Sequence, residues 1–325
     1  MRAMAAGLAA LVLAAATMAS VAGAAGKRIY VSSEDDDMIV VFNAADLTRL
    51  GSIKTDERPR GLRMSPDGKH LYVACGDSNA IDVVDAAAMK VTGRIDVGED
   101  PEMFAVDHRG RFLYASNEDT AELTVYDLHS GNKIAGVPVG AEPEGVQVSS
   151  DDRHVYVTSE VANMVHVIDT ATRKVVANIV VGNRPRRILE LPDRGEIWVT
   201  NEMGASVSVI DAKSNTVTGT VTFQPRGFRI DDVTPVGIRA SADGTVAYVA
   251  LGRANHVAAV DVASRKVTGY VLVGRRAWGL ALDPDGKRLY VANGLSDDMT
   301  VIDTGSLKVI RSVPVARTPH SIVVH

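Results

Sequence analysis

The stretch from Gly61 to Val97, GLRMSPDGKHLYVACGDSNAIDVVDAAAMKVTGRIDV, decides the fold. It opens with a short apolar run, turns at Ser65-Pro66-Asp67-Gly68 and continues through Leu71-Tyr72-Val73. Period-2 alternation and turn residues divide it into four strands: Gly61 to Ser65, His70 to Ala74, Ala80 to Val84 and Lys90 to Val97. The unit recurs along the chain. Gly61, Met103, Gly145 and Arg187 stand 42 residues apart, Gly237 follows after 50, and Gly279 and Ser321 resume the 42-residue step. A four-stranded unit of about 40–45 residues is the signature of a propeller blade. A helical repeat of that length would need apolar residues at three- and four-residue spacing, which these Val-rich alternating runs lack. The chain reads as an all-β, seven-bladed β-propeller.

The ends support closure of the ring. The first copy lacks its opening strand and starts at Arg28-Ile29-Tyr30-Val31, the equivalent of Leu71-Tyr72-Val73, while the missing strand appears at the far end as Ser321-Ile322-Val323-Val324. The C-terminal strand is therefore expected to complete the first blade and leave no open sheet edge.

Regular columns are scaffold. Asp85, Asp127, Asp169, Asp211, Asp261 and Asp303, with Asn43 in the first copy, are expected to cap turns by accepting backbone N–H bonds. The ring column of Tyr30, Tyr72, Tyr114, Tyr156, Trp198, Tyr248 and Tyr290 is expected to pack between blades.

Residues 1–24 carry Arg2, an Ala/Leu/Val run and Ala22-Gly23-Ala24, the layout of a secretory signal and too short and Ala-rich for a membrane anchor. Cleavage after Ala24 would leave residues 25–325 as one propeller domain, exported to the periplasm with no membrane insertion. It would also change the formal charge from −5 to −6 by removing Arg2. An acidic chain argues against nucleic acid as partner. Cys75, the one cysteine, cannot form an internal disulfide and reads as a buried thiol.

The chain has no C-x-x-C-H, G-x-S-x-G, H-E-x-x-H or phosphate-cradling glycine loop, which removes covalent c-type haem and the common motif-borne hydrolases. Function is then expected in columns that vary between blades on one face of the ring. The residue before each inner strand is Arg60, Glu102, Glu144, Arg186, Val236, Trp278 and His320 in turn. The residue closing each second strand is Glu34, Gly76, Glu118, Glu160, Glu202, Gly252 and Gly294. Superposed, these columns direct Glu102, Glu118, Glu144, Glu160 and Glu202 at one sector of the mouth, with Arg60, Trp278 and His320 opposite and Arg186 beside Glu202. The longer fifth copy, within Phe223 to Val233, is expected to bring Arg226, Arg229, Asp231 and Asp232 to the same face as a flap.

Clustered carboxylates need a cation, an arginine or a raised pKa to be tolerated. An all-oxygen set suits calcium or a trivalent lanthanide-like ion, with the lanthanide bound more tightly and magnesium more weakly. The plain alternative is rim charges that pair with Arg186 or with backbone amides. Arg60, Arg186, Trp278 and His320 form a second candidate set, for a small organic ligand.

Pro284 to Asn293 (Pro-Asp-Gly-Lys-Arg-Leu-Tyr-Val-Ala-Asn), with Val301-Ile302-Asp303, resembles the YVTN family of β-propeller repeats. Arg58-Pro59-Arg60-Gly61, Glu142-Pro143-Glu144-Gly145, Ser159-Glu160 and Arg184-Pro185-Arg186 are similar to the PQQ-dependent catabolism-associated β-propeller proteins. That resemblance implies a non-enzymatic periplasmic accessory protein of PQQ-linked alcohol oxidation, with ABC-type transporter components or a PQQ dehydrogenase as partners. PQQ itself is not expected to bind tightly, because Trp198 and Trp278 are the only tryptophans. Two other classes stay open: a lyase- or lactonase-type propeller enzyme using the mouth glutamates or His320, and a protein-interaction scaffold.

Overall fold

Seven four-stranded antiparallel sheets form the chain, as the repeats require. The computed structural model describes residues 26–325; the secretory signal read in residues 1–24 lies outside them. In the second blade the strands are Pro59–Met64, His70–Cys75, Ala80–Asp85 and Lys90–Asp96, running in chain order from the centre outward. The first blade is closed by Pro319–Val324, which pairs with Arg28–Ser33 through Ile29↔Val324, Tyr30↔Val323 and Val31↔Ile322. The termini thus share one sheet and the ring has no free inner edge.

The core is divided into seven layers, each between adjacent blades. Between the fifth and sixth, Trp198, Val207 and Val209 meet Ala247, Val249 and Ala258; between the seventh and first, Tyr290, Ala292 and Val301 meet Ile29, Val31 and Val40. The aromatic column is buried throughout, as expected of rings packed between sheets. The Asp column caps turns: Asp127 accepts from the N–H groups of His129 and Ser130 at 3.0 Å, and Asp169 and Asp303 do the same for Thr172 (2.7 Å) and Ser306 (2.8 Å). Cys75 is buried, and burial raises its thiol pKa far above the ordinary value.

The inner strands differ from expectation in one way that matters. In the second to fifth blades they begin two residues early, at a proline, and carry a bulge straight afterwards: register shifts between Pro59 and Leu62, Pro101 and Phe104, Pro143 and Val146, Pro185 and Ile188. The two residues skipped by the ladder are the mouth residue and the one after it. A bulge leaves its extra residues free of strand pairing and re-aims their side chains, which is how Arg60, Glu102, Glu144 and Arg186 come to face the opening.

Candidate functional site

The mouth is a cleft of about 550 Å³ lined mostly by charged side chains. Three columns build it, of which two were read above. The third lies two residues before each mouth residue: Arg58, Asp100, Glu142, Arg184, Arg276 and Thr318, all with left-handed backbone, at φ of 54°, 46°, 51°, 54°, 58° and 51°. In that conformation each offers its carbonyl to the residue closing the second strand. Glu34, Glu118, Glu160 and Glu202 donate their N–H groups to the carbonyls of Thr318, Asp100, Glu142 and Arg184 at 2.8–3.2 Å. A non-glycine residue at positive φ costs conformational energy, and here it fixes both the glutamates and the arginines beside them.

Of the predicted residues, Arg60, Glu102, Glu118, Glu144, Arg186, Glu202, Trp278 and His320 line the cleft, while Glu160 lies beneath Arg184 and Arg186. The acidic residues are interleaved with arginines instead of facing them across the opening. Arg186, buried, binds Glu160 and reaches Glu144 at 3.4 Å and Glu202 at 3.7 Å. Arg187 also binds Glu144, and Arg184 holds Glu160 at 2.7 Å and Glu202 at 3.2 Å. Arg60 takes Glu102 at 2.5 Å and approaches Glu34 at 3.8 Å; Arg58 binds Asp100 and reaches Glu102 at 3.3 Å. Sequence reasoning missed Arg58, Asp100, Arg184, Arg187 and Arg276.

These pairings split the carboxyl groups electrostatically. Burial opposes the ionisation of Glu144, but Arg186, Arg187 and Arg60 outweigh it and hold its carboxyl well below the usual range. Burial and the negative Glu144 push Glu160 up to about 7. Burial, then Glu144, raises Glu102 well above its ordinary value, and the same two influences raise Glu118. Glu102 keeps one oxygen, Oε2, without a hydrogen-bond partner. One ligand oxygen from each of Asp100, Glu102 and Glu118 lies within 4.8 Å of the others.

His320 is buried, and desolvation together with Arg60 and Arg187 lowers its pKa well below the ordinary value, so it is neutral at physiological pH. Its Nδ1 pairs with Ser321 Oγ at 2.9 Å and its ring leans on Trp278 at 5.5 Å. The Trp278 ring carries the guanidinium groups of Arg186 and Arg276 at 5.1 and 4.5 Å. The expected flap is set aside from the mouth: Arg226, Arg229, Asp231 and Asp232 do not line the cleft. Phe228 instead packs edge-on against His256 at 5.3 Å, and Gln224 donates its N–H to the Tyr270 hydroxyl at 2.8 Å.

The sequence model of the family described as lactonase, seven-bladed β-propeller, matches residues 12–96 and 169–324, more than half of the chain. The cytochrome D1 haem domain model matches residues 67–188. Among curated proteins no significant match is found. Solved structures with the same fold include the periplasmic gluconolactonase PpgL of Pseudomonas aeruginosa, 21% identical with a TM-score of 0.77 and covering 92% of this chain and 98% of that one. A putative 6-phosphogluconolactonase of Bacteroides fragilis is 18% identical with a TM-score of 0.76, over the same shares of the two chains. Hydrazine synthase of Kuenenia stuttgartiensis is 21% identical with a TM-score of 0.77, covering 85% of this chain and 92% of that one. The lactonase match overturns the expectation of a non-enzymatic accessory protein for PQQ-linked oxidation and transport, which rested on the resemblance of the repeats and of the short motifs around Arg60, Glu144, Glu160 and Arg186. Among the described residues, no helix is long and apolar enough to cross a membrane.

Proposed function

The chain belongs to the seven-bladed β-propeller lactonase family, and we propose that it hydrolyses the ring ester of a sugar-derived lactone at the propeller mouth. The observation that carries this reading is a carboxyl pair of unequal environment, Glu102 and Glu118, beside the guanidinium groups of Arg58 and Arg60 in one cleft. A cleft lined by charge suits a polyhydroxylated substrate better than an apolar one. Its volume is in the range of small-molecule sites, about 300–1,000 Å³.

Two acidic groups whose surroundings separate their pKa values divide the roles of acid and base. Glu118, the more exposed, takes a proton from water as the water oxygen bonds to the lactone carbonyl carbon. Arg58 and Arg60 stabilise the oxyanion that forms. The bond from that carbon to the ring oxygen then breaks, and Glu102, whose carboxyl pKa burial raises, acts as the acid that gives a proton to the departing alkoxide. The product is a hydroxy acid. A periplasmic location is supported by the secretory pattern of residues 1–24.

The test is acid release from glucono-1,5-lactone, followed with a pH indicator and corrected for spontaneous hydrolysis. Glu118→Gln is expected to lower kcat by roughly 100-fold, the lower range for loss of a general base. Equal turnover by the wild type and this variant removes the assignment of Glu118, and no acceleration of any sugar lactone removes the function.

The closeness of Asp100, Glu102 and Glu118 favours a second reading, in which their oxygens hold a calcium or lanthanide ion. Arg58 already supplies positive charge there, so the ion would have to displace its guanidinium. Metal content after dialysis and a calcium–lanthanide competition titration decide this: no binding of either below millimolar eliminates it.

A further inference from the structure

Beneath the mouth the central channel narrows to a segment of about 40 Å³, whose lining includes Arg63, Gln147, Arg187, Arg239 and Ser321. Three of these residues are arginines, and a single carboxylate, Glu144 at the mouth end, binds Nη1 of one of them, Arg187. Among the described residues, Arg187 Nη2 and Arg63 Nε have no hydrogen-bond partner. Arg239 donates from Nη1 to the backbone carbonyl of Ile238, its own neighbour in the strand, at 2.9 Å. Of the mouth arginines above, Arg58, Arg60, Arg184 and Arg186 each sit against carboxylates, and Arg276 lies over the Trp278 ring.

The electrostatic state of the group agrees. Burial lowers the pKa of Arg63, and burial followed by the like charges of Arg63 and Arg187 brings Arg239 down to about 10. Arg239 is exposed to the channel, yet protein surrounds it closely enough to desolvate its charge. The second fact governs its energy, because a narrow channel does not screen charge as bulk water does. Unpaired buried charges are tolerated when a counter-ion joins them.

We propose that this segment of the channel binds a small oxyanion of phosphate or sulfate type, held by Arg63, Arg187 and Arg239. Planar guanidinium forks match the oxygen spacing of such ions and bind them in bidentate fashion. The segment is too small for a sugar ring, which separates this site from the substrate cleft. Access does not depend on the mouth. Arg63 and Gln147 also line a recess of about 230 Å³ on the opposite face, with Pro66, Asp107 and His108. Asp107 at that opening is occupied with the backbone N–H groups of Arg111 and Phe112, at 2.6 and 2.9 Å. The bound ion would fasten the inner strands of the second, fifth and sixth blades to one another across the channel.

Titration calorimetry of anion-stripped protein with inorganic phosphate, sulfate and chloride at constant ionic strength tests the site. Phosphate or sulfate is expected to bind saturably at one site per chain, at least tenfold more weakly in Arg63→Gln and in Arg239→Gln. Binding unchanged in both variants would place the anion among the mouth arginines and overturn the proposal, as would equal affinity for chloride or no saturable binding. Since either variant could fail to fold, Gln147→Glu serves as the second probe, adding a fixed carboxylate to the same ring. It is expected to raise Tm in phosphate-free buffer and to abolish the rise in Tm that phosphate gives the wild type. A Gln147→Glu protein that keeps the phosphate response refutes the proposal.

Discussion

Arg186→Met removes the cation at the centre of the mouth while keeping most of the side-chain volume. The change leaves Glu144, Glu160 and Glu202, all buried, without their shared guanidinium. Breaking a buried ion pair costs about 3–5 kcal/mol, because the remaining charge is left uncompensated. Arg187 stays with Glu144, and Arg184 with Glu160 and Glu202, so the loss falls at the low end, about 3 kcal/mol. At about 2 °C per kcal/mol, the figure for large domains, Tm drops by roughly 6 °C at pH 8. The pH dependence has a definite sign. Glu144 has a depressed carboxyl pKa in the folded protein, so its pairing adds stability above the unfolded value and loses it as pH falls through the folded one. Glu160, pushed up to about 7, behaves in the opposite way: its protonation favours the folded state below that pH. Without Arg186 both carboxyl groups move upward, so the variant's deficit is greatest at pH 8 and shrinks toward pH 5. Calorimetric melts at the two values measure it. A deficit of the same size at pH 5 and pH 8 would mean that only packing was lost, and an unchanged Tm would refute the charge argument altogether.

Gly145→Ala should destabilise by about 2 kcal/mol, within the range for overpacking, because a Cβ there overlaps the backbone carbonyl of Arg186 in the next inner strand; an unchanged urea midpoint would show that the inner strands can part at no cost. Deleting residues 321–325 removes most of the strand that closes the first blade, so soluble yield and Tm should both fall sharply; a truncated chain that melts like the full one contradicts ring closure as a source of stability. Lactonase kcat/KM should rise with pH through the raised pKa of Glu118, which burial and then Glu144 move upward, since the base acts ionised. Desolvation lowers the pKa of His320, so His320→Asn should leave the upper limb of the profile intact, and a wild-type profile flat from pH 4.5 to 8 would remove a carboxylate base.

The fold was legible because a closed ring repeats its scaffold. Asp127, Asp169 and Asp303 do the same turn-capping work in the third, fourth and seventh blades, and Tyr30 and Tyr290 fill equivalent gaps between sheets. The mouth columns were legible as positions for the same reason, but their pairing was not. Positive φ is usually announced by glycine or asparagine, whereas here Arg58, Asp100, Arg184 and Arg276 adopt it. These residues therefore read as ordinary turn positions, just before a proline in every case but Arg276, and the arginines they bring to the cleft went uncounted. Arg187 was hidden differently, in a column that is glycine at Gly61, Gly145, Gly237 and Gly279. The 42-residue spacing was the available signal, since Arg58, Asp100, Glu142 and Arg184 keep it. Matching each mouth glutamate against charged residues up to two positions either side of its column supplies an arginine for Glu102, Glu144, Glu160 and Glu202. Among the described residues it supplies none for Glu118, which stays half-exposed beside the Glu102 carboxyl. A buried charge already neutralised by arginine gains little from a ligand, whereas a half-exposed carboxyl with no arginine of its own must take up a proton or act on something that enters. The chemistry is accordingly assigned to Glu102 and Glu118, and Glu144, Glu160 and Glu202 hold the arginines in place.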